Sequence, residues 1–202
     1  ENRELFTLEE LVQNFSTDGI SKSPAVFDYD KLNWFNGEYI RAMQPEDFIA
    51  RAMPYIRQAF PEGERDWVVL ASILQPRLTK LTQIPELLAF FRELPQYPAD
   101  YFVNKKSKTN LENSKEMLTE AIRSLEGLEA WDLDSIHANL IDLAGRLGVK
   151  NGTLLWPVRI AAAGVLVTPG GAMEILALLG REEALRRLRL GLEKLNRGGT
   201  PA

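Results

Sequence analysis

Apolar residues recur every three or four positions along nearly the whole chain, the spacing of amphipathic helices. Leu8, Leu11 and Phe15 open the pattern behind a Thr7-x-x-Glu10 capping box. Residues 16–27 break it with Asp18-Gly19, Ser21, Ser23 and Pro24, so a loop is expected there. Leu32, Phe35, Tyr39 and Met43 restore the spacing behind Asp28 or Asp30, either of which fits an N-cap. Trp34, Phe35 and Tyr39 are expected in the core. Pro45 suits the first turn of the next helix, where Glu46 and Asp47 favour the dipole, and Pro54 should kink or divide that helix. A further helix runs from about Glu64 to Leu74, is interrupted at Pro76 and is followed by a short turn; Pro85 opens another through Leu94. Pro95 and Pro98 begin the most loop-like stretch, which reaches Lys108 and marks a boundary between two helical subdomains, 41–100 and 101–202. Beyond it, Thr109 and Glu112 form a second T-x-x-E box that starts a helix to about Leu125, and Asp132 or Asp134 caps one that stops at Gly148. Helices follow at about 152–165, 171–179 and 181–196. No segment alternates like a strand and no repeat of fixed period occurs, so the pattern predicts an all-α, multihelical fold in two packed helical subdomains.

Composition changes this picture little. The 202 residues are 45% hydrophobic and 26% charged, ordinary values for a folded chain. No apolar run is long enough to span a bilayer, no signal peptide is visible and no membrane partner is expected. The chain starts at Glu1 without a methionine and enters an amphipathic segment at once. That reads as an excised fragment, although a processed N-terminus would look the same. Cysteine is absent, which excludes disulfides and thiolate metal sites and fits a cytoplasmic setting.

Charge is more informative in its distribution than in its sum. The net charge is −4, yet from Lys150 onward there are 8 basic and 4 acidic side chains. The tail is locally basic inside an acidic protein, which fits either a solvated helix face or a polyanionic partner. The Arg186, Arg187, Arg189 run reads by default as a solvated face, with Leu185, Leu188 and Leu192 turned inward.

Catalytic chemistry of the usual kinds is not encoded. The one histidine, His137, lies in a helical pattern between Ile136 and Leu140 and reads as a packed or surface residue. One His without Cys cannot assemble a zinc site. There is no G-x-S-x-G, P-loop or G-x-G-x-x-G pattern. Gly170-Gly171 reads as a turn, while Asp132/Asp134 and Glu182/Glu183 read as helix starts. No catalytic residue, metal site or cofactor is expected in this chain, which favours a binding module.

Three stretches carry a resemblance. The first is Ile20-Ser21-Lys22-Ser23-Pro24-Ala25-Val26-Phe27-Asp28 with Lys31-Leu32-Asn33-Trp34-Phe35-Asn36-Gly37-Glu38-Tyr39-Ile40-Arg41. The second is Gln75-Pro76-Arg77-Leu78-Thr79-Lys80-Leu81. The third combines Trp156-Pro157-Val158-Arg159-Ile160-Ala161, Thr168-Pro169-Gly170, Glu174-Ile175-Leu176 and Leu179-Gly180-Arg181-Glu182. In this order and spacing they resemble the region that follows the catalytic domain in glutamate–tRNA ligases, class I aminoacyl-tRNA synthetases whose anticodon-binding domain is helical. The resemblance covers essentially the whole chain. The H-I-G-H-like and K-M-S-K-S-like catalytic signatures are missing, which places the ATP, Mg and glutamate sites of such a parent outside this sequence.

By that resemblance, residues 1–40 form a tail that lies along the inside of the tRNA, and the later helices grip its anticodon arm. Lys22, Lys31 and Arg41 would meet backbone phosphates, which position RNA without reading it; each also reads as a solvated surface cation. Arg77 follows a helix-breaking proline that can turn its side chain outward, and would meet the third anticodon base. A donor-only guanidinium suits the O2 and N3 acceptors of an unpaired C and clashes with the donors of G, the base that glutamine anticodons carry there. Arg159, Thr168 and Pro169 match positions at the first two anticodon bases. Arg159 alternatively reads as a helix-terminal salt bridge, Thr168 as an N-cap, and Trp156 as either a stacking platform or a buried ring. The implied partner is glutamate tRNA rather than DNA, bound by a monomer. The rival readings are a helical protein-interaction scaffold and the same region of a ligase that also charges glutamine tRNA.

Overall fold

Short polar side chains set the helix starts. In the computed structural model, which describes residues 5–20 and 26–197, Thr7 Oγ1 accepts the Glu10 N–H at 3.2 Å while Glu10 accepts the Thr7 N–H at 2.8 Å, opening α1 (Leu8–Asn14). Asp28 accepts from Asp30 and Lys31 and opens α2 (Tyr29–Ala42). Pro45 is the first residue of α3 (Pro45–Ile56), and Asp66 accepts from Val69 to start α4 (Trp67–Leu74). Tight turns at Gln75–Arg77 and Leu81–Gln83 lead into α5 (Ile84–Leu87) and α6 (Ala89–Arg92). A turn at Ala99–Phe102 precedes α7 (Leu111–Glu126), α8 (Leu133–Arg146), α9 (Asn151–Ala163), α10 (Ala172–Leu179) and α11 (Arg181–Arg197). Among the described residues the only β-type pairing is an isolated antiparallel bridge, Asn104 to Thr109.

Helices α7, α9 and α11 pack against one another, with α8 and α10 alongside; α3 packs on α4 and α5, and α4 meets α10. The α9–α11 approach is close because Gly191 lacks a side chain: a Cβ there would stand 2.6 Å from that of Ala161. Helix α2 touches the rest chiefly at the Gln75–Arg77 turn, meeting it through Gly37 and Ile40, its two buried residues.

One buried cation fastens three segments. Arg187 is 1% exposed and donates to the carbonyls of Phe90 (2.7 Å), Phe91 (3.1 Å) and Ala162 (3.0 Å), and to Glu183 (2.6 Å). It thereby satisfies carbonyls in α6 and near the end of α9 from one position on α11. The reading of this arginine run as a solvated face therefore fails at Arg187. It shares a helix face with the buried Ala184, Leu188, Gly191 and Leu195.

Other local expectations also give way to tertiary structure. Thr109 does not cap α7. Asn110 does, in a reciprocal pair with Asn113, because the buried Thr109 hydroxyl donates to Phe102 O instead. Pro54 leaves α3 continuous: it removes the one bond to the Ala50 carbonyl, and only two further residues of the helix follow it. The helix expected from Pro85 to Leu94 is divided at Leu88. The stretch 95–108 is irregular but anchored, with Tyr97 6% and Phe102 0% exposed. Trp34 and Tyr39, expected in the core, are 43% and 54% exposed, and Phe35 is half-buried. Among the described residues their helix buries only Gly37 and Ile40, and Tyr39, though its hydroxyl donates to Phe6 O at 3.4 Å, keeps much of its ring in solvent.

Candidate nucleic-acid interface

Gly164 ends α9 in the left-handed conformation, with φ +68. Leu94, Pro95 and Tyr97 press against it at 3.0–3.1 Å from where a Cβ would stand, so a larger residue would be both strained and crowded. The loop that follows, up to Gly171 at the start of α10, is clamped from two sides.

Arg159 holds it from α9. One terminal nitrogen donates to Thr168 Oγ1 at 2.9 Å and the other to Leu166 O at 3.0 Å. Its guanidinium carbon sits 4.6 Å from the centroid of the Trp156 ring, and Trp156 Nε1 donates to Tyr101 O at 2.9 Å. Burial draws the Arg159 pKa below the ordinary arginine value, yet the group stays charged. Thr168 passes its own proton to Gly170 O at 2.7 Å. Its hydroxyl is therefore used within the loop, while the N-cap position of α10 is Gly171.

Arg77 holds the loop from the other side, donating from Nε to Pro169 O. The Pro169 ring itself is buried, so this residue presents its backbone to Arg77 rather than its ring to solvent. Two positions earlier, Gln75 donates from Nε2 to Ile40 O at 2.8 Å and Met43 O at 2.7 Å, closing the end of α2. The tip of the loop is apolar and outward: Leu166 is 46% and Val167 85% exposed. Beside it, Arg77, Gln83, Phe90, Pro95, Val165 and Val167 line a groove of about 700 Å³.

Four residues singled out in the sequence, Arg77, Arg159, Thr168 and Pro169, thus meet around one loop. Arg41 lies across the Gln75-Pro76 turn, paired with Glu38, and with Ser72, Gln75 and Pro76 lines a small cleft. Lys31 sits farther up α2, exposed, its ammonium 5.7 Å from the Phe35 centroid. Lys22 lies outside the described residues. Leu166 and Val167 carried no expectation in the sequence, and Gln75 stood there only as part of the 75–81 stretch, with no role of its own. For the first two there was a signal, an apolar pair directly before Thr-Pro in a segment that has to turn. Among the described residues no group of three His, Asp or Glu could hold a metal ion, and no helix is long and apolar enough to cross a membrane.

Glutamate–tRNA ligase of Clostridium tetani is 45% identical over 192 residues, which are 95% of this chain and 39% of that protein. The Clostridium novyi glutamate–tRNA ligase is 45% identical over 197 residues, 96% of this chain and 40% of that one. The chain spans about two fifths of the length of these curated relatives. A crystal structure of a glutamate tRNA ligase from Elizabethkingia meningosepticum, in complex with its amino acid, superposes with a TM-score of 0.80 at 21% identity. It covers 96% of this chain and 38% of that one, and the likeness is one of fold. The family model described as the anticodon binding domain matches residues 39–192, and the chain belongs to that family.

Proposed function

We propose that this chain is the anticodon-binding part of a glutamate–tRNA ligase and grips the anticodon arm of glutamate tRNA. One observation carries the reading: Arg77 and Arg159, from distant parts of the chain, both grip the 164–171 loop beside an exposed apolar tip. Unpaired bases are bound by such combinations, a flat apolar or aromatic surface for the ring and donors for its edge. Arg77 spends one of its five donors on Pro169 O, leaving its terminal nitrogens for a base edge. In this reading Arg77 favours C at the third anticodon position, and Arg159, Thr168 and the loop backbone at Pro169 meet the first two bases. Lys22, Lys31 and Arg41 contact phosphates. Residues 1–40 form the tail along the tRNA, 41–100 the first helical subdomain and 101–202 the second. The parent would be a cytoplasmic enzyme, monomeric, attaching glutamate with ATP and Mg through a catalytic domain this chain does not contain.

Filter-binding titration of the chain against glutamate and glutamine tRNA transcripts tests the proposal. Glutamate tRNA should bind more tightly, with log affinity falling linearly in log salt. Equal affinity for both would remove the discrimination. Affinity that ignores salt would favour a protein-binding scaffold instead.

A further inference from the structure

Two of the acid-free stretches of this acidic protein meet in the fold. Residues 101–111 carry Lys105, Lys106 and Lys108, and residues 143–173 carry Arg146, Lys150 and Arg159. They are far apart in sequence, and the fold joins them. Asn104 and Thr109 pair to close a basic hairpin, and Thr153 Oγ1 on the first turn of α9 donates to Ser107 O at 2.8 Å. Ser107 also lies against Gly152, whose missing side chain lets the hairpin sit directly on the helix. Lys105, Lys106, Lys108 and Lys150 are all exposed. None of them takes part in an ion pair among the described residues, whereas Arg146 is tied to Asp142 at 2.8 Å. The nearest acids in sequence are Asp100 and Glu112, outside the hairpin on either side.

The hairpin occupies the opposite end of α9 from the 164–171 loop. Thr153, Trp156 and Arg159 follow one another at three-residue spacing along α9, touching in turn Ser107 O, Tyr101 O and Thr168. One face of the molecule therefore runs from the four lysines, past Trp156 and Arg159, to the loop tip. The 13 residues of α9 span about 20 Å, an upper limit on the separation because the loop folds back onto Arg159. An RNA stem is A-form and rises less per base pair than the about 3.4 Å of B-form DNA, so the face spans no more than about seven pairs. A base-paired stem whose unpaired loop sat on residues 164–171 would meet the lysines if it ran along this face.

We propose that Lys105, Lys106, Lys108 and Lys150 form a further RNA contact, to the phosphates of the stem adjoining the anticodon loop. This rests on the RNA-binding reading above and extends it to a surface that reads no base. Lysine heads on flexible stems suit that task, since phosphates ask for positive charge without fixed geometry.

The test uses two RNAs: a hairpin carrying the glutamate anticodon on a short stem, and the same loop sequence as an open strand without a complement. Two variants are compared with wild type. The first is Lys105→Ala/Lys106→Ala/Lys108→Asn; Asn is chosen because Lys108 has φ 56, where Asn is tolerated better than Ala. The second is Lys150→Ala alone, which leaves the hairpin intact. Removing three phosphate contacts should lower the slope of log affinity against log salt by about 2–3 for the hairpin, and Lys150→Ala should lower it by about 1. Binding of the open strand should change little. The preference for C over G at the third anticodon base should stay the same, since no base reader is touched. Wild-type slope and affinity in both variants would overturn the inference, as would an equal loss for hairpin and open strand. Wild-type chain that binds neither RNA would instead defeat the anticodon-binding proposal itself, an outcome visible before any variant is made.

Discussion

Arg77 donates its Nε proton to the carbonyl of Pro169, a residue 92 positions later in the chain. The bond ties the turn after α4 to the loop before α10 and fixes where the rest of the guanidinium can reach. If those free nitrogens meet the third anticodon base, Arg77→Gln should relax specificity more than it weakens binding, because an amide offers a donor and an acceptor and can meet C or G. The cost at the matched base should be about 1–3 kcal/mol, by analogy with base-edge contacts in DNA. The measurement is the ratio of affinities for two tRNAs that differ only at that base. An unchanged ratio in a folded variant would leave Arg77 a structural clamp.

Arg187→Met keeps the length of the side chain and removes its donors. Three buried carbonyls, those of Phe90, Phe91 and Ala162, lose their partner, as does Glu183. Removing one member of such a buried network should cost about 3–5 kcal/mol, read as a drop in the urea midpoint with little change in slope. A loss below about 1 kcal/mol would mean that water replaces the guanidinium.

Acid should weaken the same junction. The hydrogen bond from Arg186 is the largest influence holding Glu183 down, to a pKa of about 2 from 4.5; burial opposes it and Arg187 adds to it. A depressed folded-state pKa means that the stabilisation is complete above about pH 4.5 and lost as pH falls towards 2. Wild type should therefore be more stable than Glu183→Gln at neutral pH, and the gap in melting temperature should close across that window. A gap independent of pH would remove Glu183 ionisation from the account.

Gly191→Ala should force α9 and α11 apart, since its Cβ would meet that of Ala161 at 2.6 Å. Overpacking of this kind costs about 1–3 kcal/mol. The double variant Gly191→Ala/Ala161→Gly moves the methyl group to the other helix and should recover most of the loss. If the double variant is less stable than the single one, the contact is not the cause.

Much of the helical framework was legible because its punctuation is local. Thr7, Asp28, Asp132 and Gly148 act within a few residues of where they stand, and each occupies the position its chemistry calls for. Thr109 and Asn110 are adjacent candidates for one cap, and only the buried Phe102 carbonyl, present once the chain has folded, decides between them. Periodicity gave α2 an apolar face at Trp34 and Tyr39 without saying whether anything lies against it. Arg187 looked like its neighbours Arg186 and Arg189, because the carbonyls that receive it come from α6 and α9. At the candidate site the residue types were visible through family resemblance alone. What joins them, Arg77 to Pro169 and Arg159 to Thr168, belongs to tertiary structure and leaves no periodic trace.

The stacking of Arg159 on Trp156 also gives the molecule an optical reporter. Indole emission responds to a charge held against the ring and to the water around it, and this ring lies on the face where RNA is proposed to bind. The chain has four tryptophans: Trp34 is exposed, Trp67 lies 5.3 Å under Arg57, and Trp131 lies 5.4 Å under Arg181. Replacing those three with phenylalanine would leave Trp156 as the only emitter. Its light would then report occupancy of the 164–171 loop directly, without a label on protein or RNA.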